Sequence, residues 1–321
     1  MMNILNFEKE HVEEAAEIAH ANYCDERQFV KELPQTCDIP DLNGFAGNGL
    51  GVAAFEDKRM IGFLCCCDPF DNAFRATDAR GIFSPMGANA AVPENRSKIY
   101  AAMYQAAGAK WVKAGAVSHA ICLYAHREEL QRQFFLYGFG LRCLDAIRPM
   151  ALIDCEPCED YDFAELSKAE LHSVYPLYLA LYRHYCESPF FMKRMPETKE
   201  EFMVSSMQED GRYFVAKQDG KLCAFLKISA SGETFAATGS TYRHIRGAYC
   251  LPEHRGKGVY QNLMNFAIST LKKEGYTRLG VNFESFNPTA RGFWLKYFAA
   301  YTNSVVRRID ERIVRGGYEY V

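Results

Sequence analysis

The stretch LPEHRGKGVY, Leu251–Tyr260, decides the fold prediction, because it joins the apolar strand RGAYCL to a helix through two glycines. At a helix N-terminus several backbone N–H groups lack partners inside the helix, and the helix dipole adds about half a positive charge there. The two glycines let the backbone approach phosphate oxygens closely, and Arg255 and Lys257 add positive charge. The stretch therefore predicts a loop that binds a polyphosphate.

Composition limits the classes of function that this loop can serve. The chain has 321 residues, a formal charge of -3 and an isoelectric point near 6.3, so bulk charge favours neither nucleic acid nor an anionic membrane as a partner. Hydrophobic residues make up 49% of the chain and charged residues 24%, as in ordinary globular proteins. The N-terminus has no export signal and no apolar run reaches about 18 residues. We therefore expect a soluble cytoplasmic protein that acts on small molecules.

The cysteines fit a reduced protein better than a disulfide scaffold. There are 12, spread through apparent core segments, and a single C-x-x-C pair occurs, at Cys155 and Cys158. A structural zinc site needs a second pair of Cys or His at matching spacing, so we expect no metal and interpret this pair as part of a linker. A zinc or redox role is the less favoured alternative.

An internal repeat organises the whole chain. When the sequence is displaced by 160 residues, the helix that contains Ile99, Met103 and Trp111 falls on the helix of Val259 and Leu263. The stretch VPENRSKIY, Val92–Tyr100, falls on Leu251–Tyr260, which we call the glycine loop, but both of its glycines are missing. The repeat predicts two domains of the same fold, residues 1–150 and 151–321, and only the second keeps the phosphate-binding loop.

Residues downstream of the loop give it a more specific meaning. A strand within GYTRLGVNFES is followed at fixed spacing by Asn287, Ala290, Phe293 and Trp294. Together with Arg255 and Gly258, this pattern resembles the GNAT family of acyl-CoA-dependent N-acetyltransferases, whose loop R/Q-x-x-G-x-G/A precedes an N-x-x-A-x-x-F-Y segment. Two positions depart from the family pattern: Tyr260 replaces the final Gly or Ala of the loop, and Trp294 replaces the tyrosine.

The resemblance implies an α/β fold with a mixed sheet, present as two tandem GNAT-like domains, and acetyl-CoA as cosubstrate. It also implies that two central strands splay apart to admit the pantetheine arm. The expected cofactor-binding residues lie on the first of these strands, in the loop and after the second strand: Ala248, Tyr249, Cys250, Arg255, Gly256, Lys257, Gly258, Val259, Tyr260, Gln261 and Asn287. The acceptor amine would attack the thioester directly in a ternary complex.

This chemistry needs a base for the amine and an acid for the departing thiolate. Glu284, near the end of the second strand, is our candidate base, with His244 as an alternative; each has the competing interpretation of an ordinary surface or structural residue. An indole cannot protonate a thiolate, so Tyr297, one helical turn beyond Trp294, is our candidate acid and Tyr260 an alternative. Water could replace a side-chain base.

Three functions stay open on the sequence. The leading one is acetyl transfer to a small-molecule or peptide amine, with no nucleic acid or membrane involved and no prediction of oligomeric state. The second is a non-catalytic protein that binds or senses acyl-CoA, and the third is a structural protein in which RGKG is an ordinary turn. The first domain is expected to be a scaffold without cofactor, although His119, Tyr124 and His126 could instead shape an acceptor site.

Overall fold

The computed structural model describes residues 2–36 and 38–315. The strands are β1 (Asn3–Asn6), β2 (Val52–Glu56), β3 (Arg59–Leu64), β4 (Gly81–Ser84), β5 (Asn89–Ala91), β6 (Ser118–Tyr124), β7 (Gly140–Pro149), β8 (Asp162–Glu165), β9 (Arg212–Gln218), β10 (Lys221–Ser229), β11 (Tyr242–Cys250), β12 (Arg278–Glu284) and β13 (Ala299–Arg308). The α-helices are α1 (Val12–Phe29), α2 (Asn43–Ala46), α3 (Arg96–Lys113), α4 (Glu128–Leu136), α5 (Tyr175–Cys186), α6 (Lys199–Gln208), α7 (Val259–Lys273), α8 (Pro288–Tyr297) and α9 (Arg312–Arg315).

Two compact units share these elements. Unit 1 comprises the described parts of Met1–Leu144 and Ala300–Val321, and unit 2 comprises Asp145–Ala299. The predicted domains, 1–150 and 151–321, stay a prediction, and the compact units differ from them at both ends of the second one. The last five residues of β7 belong to unit 2, and nearly all of β13 belongs to unit 1. Repeat matching could not show this, because it aligns elements along the chain but does not say which strands pair.

Unit 1 contains two groups of strands. An antiparallel sheet has the order β1-β2-β3-β5. In the second group β4 pairs parallel to β6, and β13 pairs antiparallel to β6 with Val305 opposite Ile121. Helix α3 buries the apolar face predicted from the sequence, including Ile99, Met103 and Trp111. At about 25 cal/mol per Å² of apolar surface, such a face is what holds a helix to its sheet.

Unit 2 has strands in the order β12-β11-β10-β9-β8, where β11 and β12 are parallel and the other pairs are antiparallel. This mixed sheet confirms the predicted fold class. The hairpin between β9 and β10 turns at Asp219 and Gly220, both with positive φ, a conformation that the Asp-Gly dipeptide favours. Helix α7 buries the predicted apolar face, which includes Leu263 and Leu271.

Ser167 and Glu170 form a capping box, and the helical segment that follows it is divided into two elements. A 3-10 helix covers Lys168–Val174, and α5 starts at Tyr175 with Pro176 in its first turn. Proline fits there because the first N–H groups of a helix have no intrahelical partner.

Within the described residues, no helix is both long enough and apolar enough to span a bilayer.

Candidate active site

The two central strands of unit 2 separate where the resemblance predicted a splay. Pairing between β11 and β12 runs from Tyr242 opposite Arg278 to Ile245 opposite Val281. Beyond this point β11 continues along β10 as far as Cys250. The register along β10 shifts so that Arg246 is the extra residue of a β-bulge, which bends β11 at the point of separation. The backbone of β11 after Ile245 thus presents N–H and C=O groups on the side that faces away from β10.

A cavity of about 340 Å³ lies beside this part of β11. Its walls come from α5, the end of β11, the glycine loop, the start of α7 and helix α8. Most of the predicted cofactor residues line it: Ala248, Tyr249, Cys250, Arg255, Gly256, Gly258, Val259, Tyr260, Gln261 and Asn287. Lys257 is exposed and is not among the described residues that form the walls.

The glycine loop has the backbone conformation that only glycine adopts readily. Gly256 and Gly258 have φ of 75° and 77°, and Gly258 is the N-cap of α7. Among the described residues no side chain caps α7, so its first N–H groups can receive an anion. The Arg255 Nε donates to the Cys250 carbonyl at 2.9 Å, and the guanidinium lies 5.4 Å from the centre of the Tyr249 ring. These contacts hold a positive charge at the edge of the cavity.

Tyr260 is a packing residue, which explains how it can replace the usual glycine or alanine. Its ring meets Phe293 edge-on at 5.2 Å and Trp294 at 6.0 Å. The hydroxyl donates to the Phe225 carbonyl at 3.2 Å, and burial raises the pKa of this phenol well above its ordinary value. The phenol therefore stays protonated and points away from the phosphate loop, while the backbone N–H remains at the start of α7.

Asn287 acts first as a helix cap. Its Oδ1 accepts a hydrogen bond from the Ala290 N–H at 3.1 Å, which fixes the start of α8 at the cavity wall. Asn287 and His184 both line the cavity. The predicted contact with cofactor stays a prediction, and the bond to Ala290 defines the orientation from which the side chain would make it.

The two candidate catalytic residues have different surroundings. Tyr297 lines the cavity, where its ring packs 5.1 Å from Phe293 and lies beneath the Lys296 ammonium. Glu284 is not a wall residue; its Oε1 accepts from Arg194 Nη2 at 2.9 Å, and its side chain is 15% exposed. The structure brings Tyr297 to the cavity and engages Glu284 in an ion pair.

The alternative base, His244, is a buried structural residue. It is 1% exposed, with Nδ1 2.7 Å from the Tyr242 hydroxyl and Nε2 3.0 Å from the Asn282 Oδ1. Burial lowers the pKa of its imidazole to about 4. Both nitrogens are engaged, so the structure gives His244 no free lone pair for an acceptor amine.

The sequence analysis missed His184, which α5 brings into the cavity wall. Its side chain is 19% exposed, its Nδ1 lies 4.0 Å from Glu187, and its ring contacts Phe190 edge-on. Burial, and next the nearby charge of Arg255, lower the pKa of this histidine. Helical periodicity could have found it, because His184 follows the buried Leu181 by three residues and so shares its face.

Side-chain hydrogen bonds link the strands in the corresponding region of unit 1. Asn89 donates from Nδ2 to the Ser84 Oγ at 3.0 Å and to the Cys122 carbonyl at 3.2 Å, which ties β5 to β6. The hydroxyl of Tyr100, which aligns with Tyr260 in the repeat, donates to the Asn89 Oδ1 at 2.8 Å. Polar groups that would otherwise be available to a ligand are thus satisfied internally.

Across residues 2–36 and 38–315, no three His, Cys, Asp or Glu side chains lie together as a metal site would require.

Comparisons with known proteins agree with this geometry. The family model described as "Acetyltransferase (GNAT) family" matches residues 172–299. The fold is similar to that of a GCN5-related N-acetyltransferase from Sphaerobacter thermophilus, with a TM-score of 0.55 and 11% identity over 96% of this chain and 95% of that one. At this identity the likeness establishes a shared fold and nothing about the substrate.

Two further solved structures are similar at lower TM-scores. One is a tandem GNAT protein from the clavulanic acid biosynthesis pathway (TM-score 0.48, 13% identity, 96% of this chain and 98% of that one). The other is a conserved protein of unknown function from Staphylococcus epidermidis (TM-score 0.49, 12% identity, 80% of this chain and 93% of that one). No curated protein matches the chain. The family model and the separated strands of unit 2 together identify residues 172–299 as an acetyltransferase domain of the GNAT family.

Proposed function

We propose that this protein is an acetyl-CoA-dependent N-acetyltransferase whose chemistry takes place in unit 2. The observation that carries the proposal is the separation of β11 from β12 beside a cavity that ends at an uncapped helix N-terminus. A pantetheine arm carries amides that need backbone partners, and a diphosphate needs N–H donors and positive charge. This cavity offers both, in the order in which they occur along acyl-CoA.

The residues of unit 2 divide the binding between them. The free edge of β11 at Ala248–Cys250 would pair with the pantetheine amides. The N–H groups from Gly256 to Gln261 would receive the diphosphate, with charge from Arg255 and the exposed Lys257. Asn287, fixed by its cap, would contact the arm from the opposite wall.

Acetyl-CoA would supply an acetyl group activated as a thioester. In a ternary complex the acceptor nitrogen bonds to the carbonyl carbon, the C–S bond breaks, and the nitrogen loses a proton. Tyr297 is the phenol in the cavity wall that can return a proton to the leaving thiolate. Trp294 occupies the position where the family pattern has tyrosine, but its side chain is 4% exposed and has no acidic proton to give.

Two groups remain candidates to accept the proton of the amine. Glu284 would first have to be released from Arg194. His184 needs no such release, and its lowered pKa keeps the imidazole neutral near pH 7. We therefore favour His184, acting directly or through a water molecule, and retain Glu284 as the alternative.

A second function is favoured by one observation, the replacement of the expected tyrosine by the buried Trp294. If Tyr297 cannot replace that tyrosine, the cavity binds acyl-CoA without turning it over, and the protein is a sensor. In either case we propose that unit 1 holds no cofactor, because Asn89 and Tyr100 bridge its strands internally.

Calorimetry with acetyl-CoA, combined with a thiol-release assay over a panel of small and peptide amines, tests the proposal. The enzyme function requires binding and acceptor-dependent release of thiol. Binding without release on any acceptor would favour the sensor, and absence of binding would refute both.

A further inference from the structure

The linker between the repeats lies against the glycine loop, which it contacts at Lys257. We call residues 153–161 the strap; within it the sequence shows the single C-x-x-C pair. One end is held by Asn265 on α7, whose Oδ1 accepts from the Ile153 N–H at 2.7 Å and whose Nδ2 donates to the Ile153 carbonyl at 2.8 Å. The other end is held by Tyr161, whose hydroxyl lies 3.0 Å from Nδ1 of His254, a residue of the cavity wall.

Between these ends the strap contacts the backbone of the loop directly. The Cys158 thiol donates to the Lys257 carbonyl, with 3.1 Å between Sγ and the oxygen. Asn262, one turn into α7, donates from Nδ2 to the Glu156 carbonyl at 2.9 Å and to the Gly258 carbonyl at 3.0 Å, and its Nδ2 lies 3.3 Å from the Cys158 sulfur. The strap thus engages the Lys257 carbonyl, and Asn262, which also bonds to the strap, engages the next carbonyl, that of Gly258.

The direction of one carbonyl determines the direction of one phosphate donor. The Lys257 C=O and the Gly258 N–H belong to the same peptide group, which is planar and trans, so the two bonds point in opposite directions. A thiol that holds the carbonyl on the strap side therefore holds the N–H on the other side. Gly258 has φ of 77°, and without a side chain it has few steric limits on rotation of this peptide.

The thiol is suited to this task in its protonated form. Burial raises the pKa of Cys158, so it keeps the proton that it donates at neutral pH. A Cβ added at position 258 would lie 3.2 Å from the Cys158 sulfur, so the strap and the loop are closely packed there.

We infer that the strap is part of the acyl-CoA site and that Cys158 is a positioning residue, which orients the Gly258 N–H toward the diphosphate. The inference rests on the proposed function. It assigns a binding role to a segment whose sequence is otherwise that of a linker between two repeats.

The test compares Cys158→Ala with Cys158→Ser, and it takes Cys24→Ala in unit 1 as the control for loss of a thiol elsewhere in the chain. Alanine removes the donor and serine retains a hydroxyl donor. Cys24 lies on α1 of unit 1, with its sulfur 3.7 Å from the His20 Nδ1. We expect Cys158→Ala to weaken acetyl-CoA binding by about three- to tenfold in calorimetry, the size of one lost hydrogen bond. Cys158→Ser and Cys24→Ala should stay within about twofold of the wild type.

A second ligand separates positioning from general damage. S-acetylpantetheine lacks the diphosphate, so its affinity should be the same in Cys158→Ala and in the wild type, and kcat at saturating acetyl-CoA should be unchanged. Equal losses for both ligands, or an unchanged affinity for acetyl-CoA, would overturn the role of Cys158. If the wild type binds neither ligand, the proposed function itself fails and the inference falls with it.

Discussion

Replacement of Gly258 by alanine tests the phosphate loop most directly. Gly258 has φ of 77° at the N-cap of α7, and a residue with a Cβ pays roughly 1–2 kcal/mol to adopt this left-handed conformation. In the free variant the peptide can relax to a negative φ, and binding of the diphosphate must then restore the original geometry. The expected loss of affinity for acetyl-CoA is about five- to thirtyfold.

Gly256 provides a comparison within the loop, and Gly275 provides a matched control outside it. Gly256 has φ of 75° and open space around an added Cβ, so Gly256→Ala carries the backbone cost without the 3.2 Å contact to Cys158 that Gly258→Ala creates. Gly275 has φ of 91° just beyond the other end of α7, also with open space. We expect Gly256→Ala to lose no more affinity for acetyl-CoA than Gly258→Ala does. Gly275→Ala should lower the melting temperature without changing the affinity for acetyl-CoA.

The assay is isothermal titration with acetyl-CoA, with a thermal melt of each variant. If Gly258→Ala and Gly275→Ala bind acetyl-CoA with equal affinity, the glycine loop does not hold the diphosphate and our assignment of the site is refuted. Gly258→Asp extends the series, since a carboxylate near the expected phosphates should weaken binding beyond the alanine variant.

Three further predictions follow from the site and the core. Tyr297→Phe should lower kcat by about 100-fold or more with little change in KM for acetyl-CoA, whereas an unchanged kcat would exclude it as the acid. His184→Gln should lower kcat/KM for the amine, and its pH–rate profile should lose the fall in rate that the wild type shows below pH 6.5. Glu284→Gln should retain that fall. The reverse pattern would make Glu284 the base. Burial lowers the pKa of His119 and His244 from 6.5 to about 4. Between these pH values the unfolded chain binds more protons than the folded chain does. The free energy of unfolding should therefore fall as the pH drops from 6.5 toward 4, by on the order of 3 kcal/mol per histidine. Denaturant melts at pH 7 and pH 4.5 measure this loss, and equal stability at both values would contradict it.

Much of unit 2 was predictable because local patterns encode it. The apolar face of α7, the turn at Asp219 and Gly220 and the cap at Asn287 each depend on residues a few positions apart. The loop and the residues that line the cavity with it follow from the same kind of spacing.

Electrostatic surroundings were less predictable, since they depend on which distant segments meet. Glu284 was a reasonable candidate base until the structure showed Arg194, 90 positions earlier, bonded to its carboxylate. His184 gave no motif, and only the packing of α5 brings it beside Asn287 and Tyr249. Cys158 belonged to an apparent linker until its thiol was found on the Lys257 carbonyl.

The sequence by itself determined the repeat, the order of helices and strands, and the glycine loop before α7, because backbone preferences and apolar periodicity depend on residues close together along the chain. Only the tertiary structure decided that β13 pairs with β6 of unit 1, that the strap holds the loop, and that Glu284 is ion-paired. Each of these is a pairing between segments far apart in sequence. Many such pairings satisfy the same local pattern, and the choice among them is made by the packing and hydrogen bonding of the whole fold.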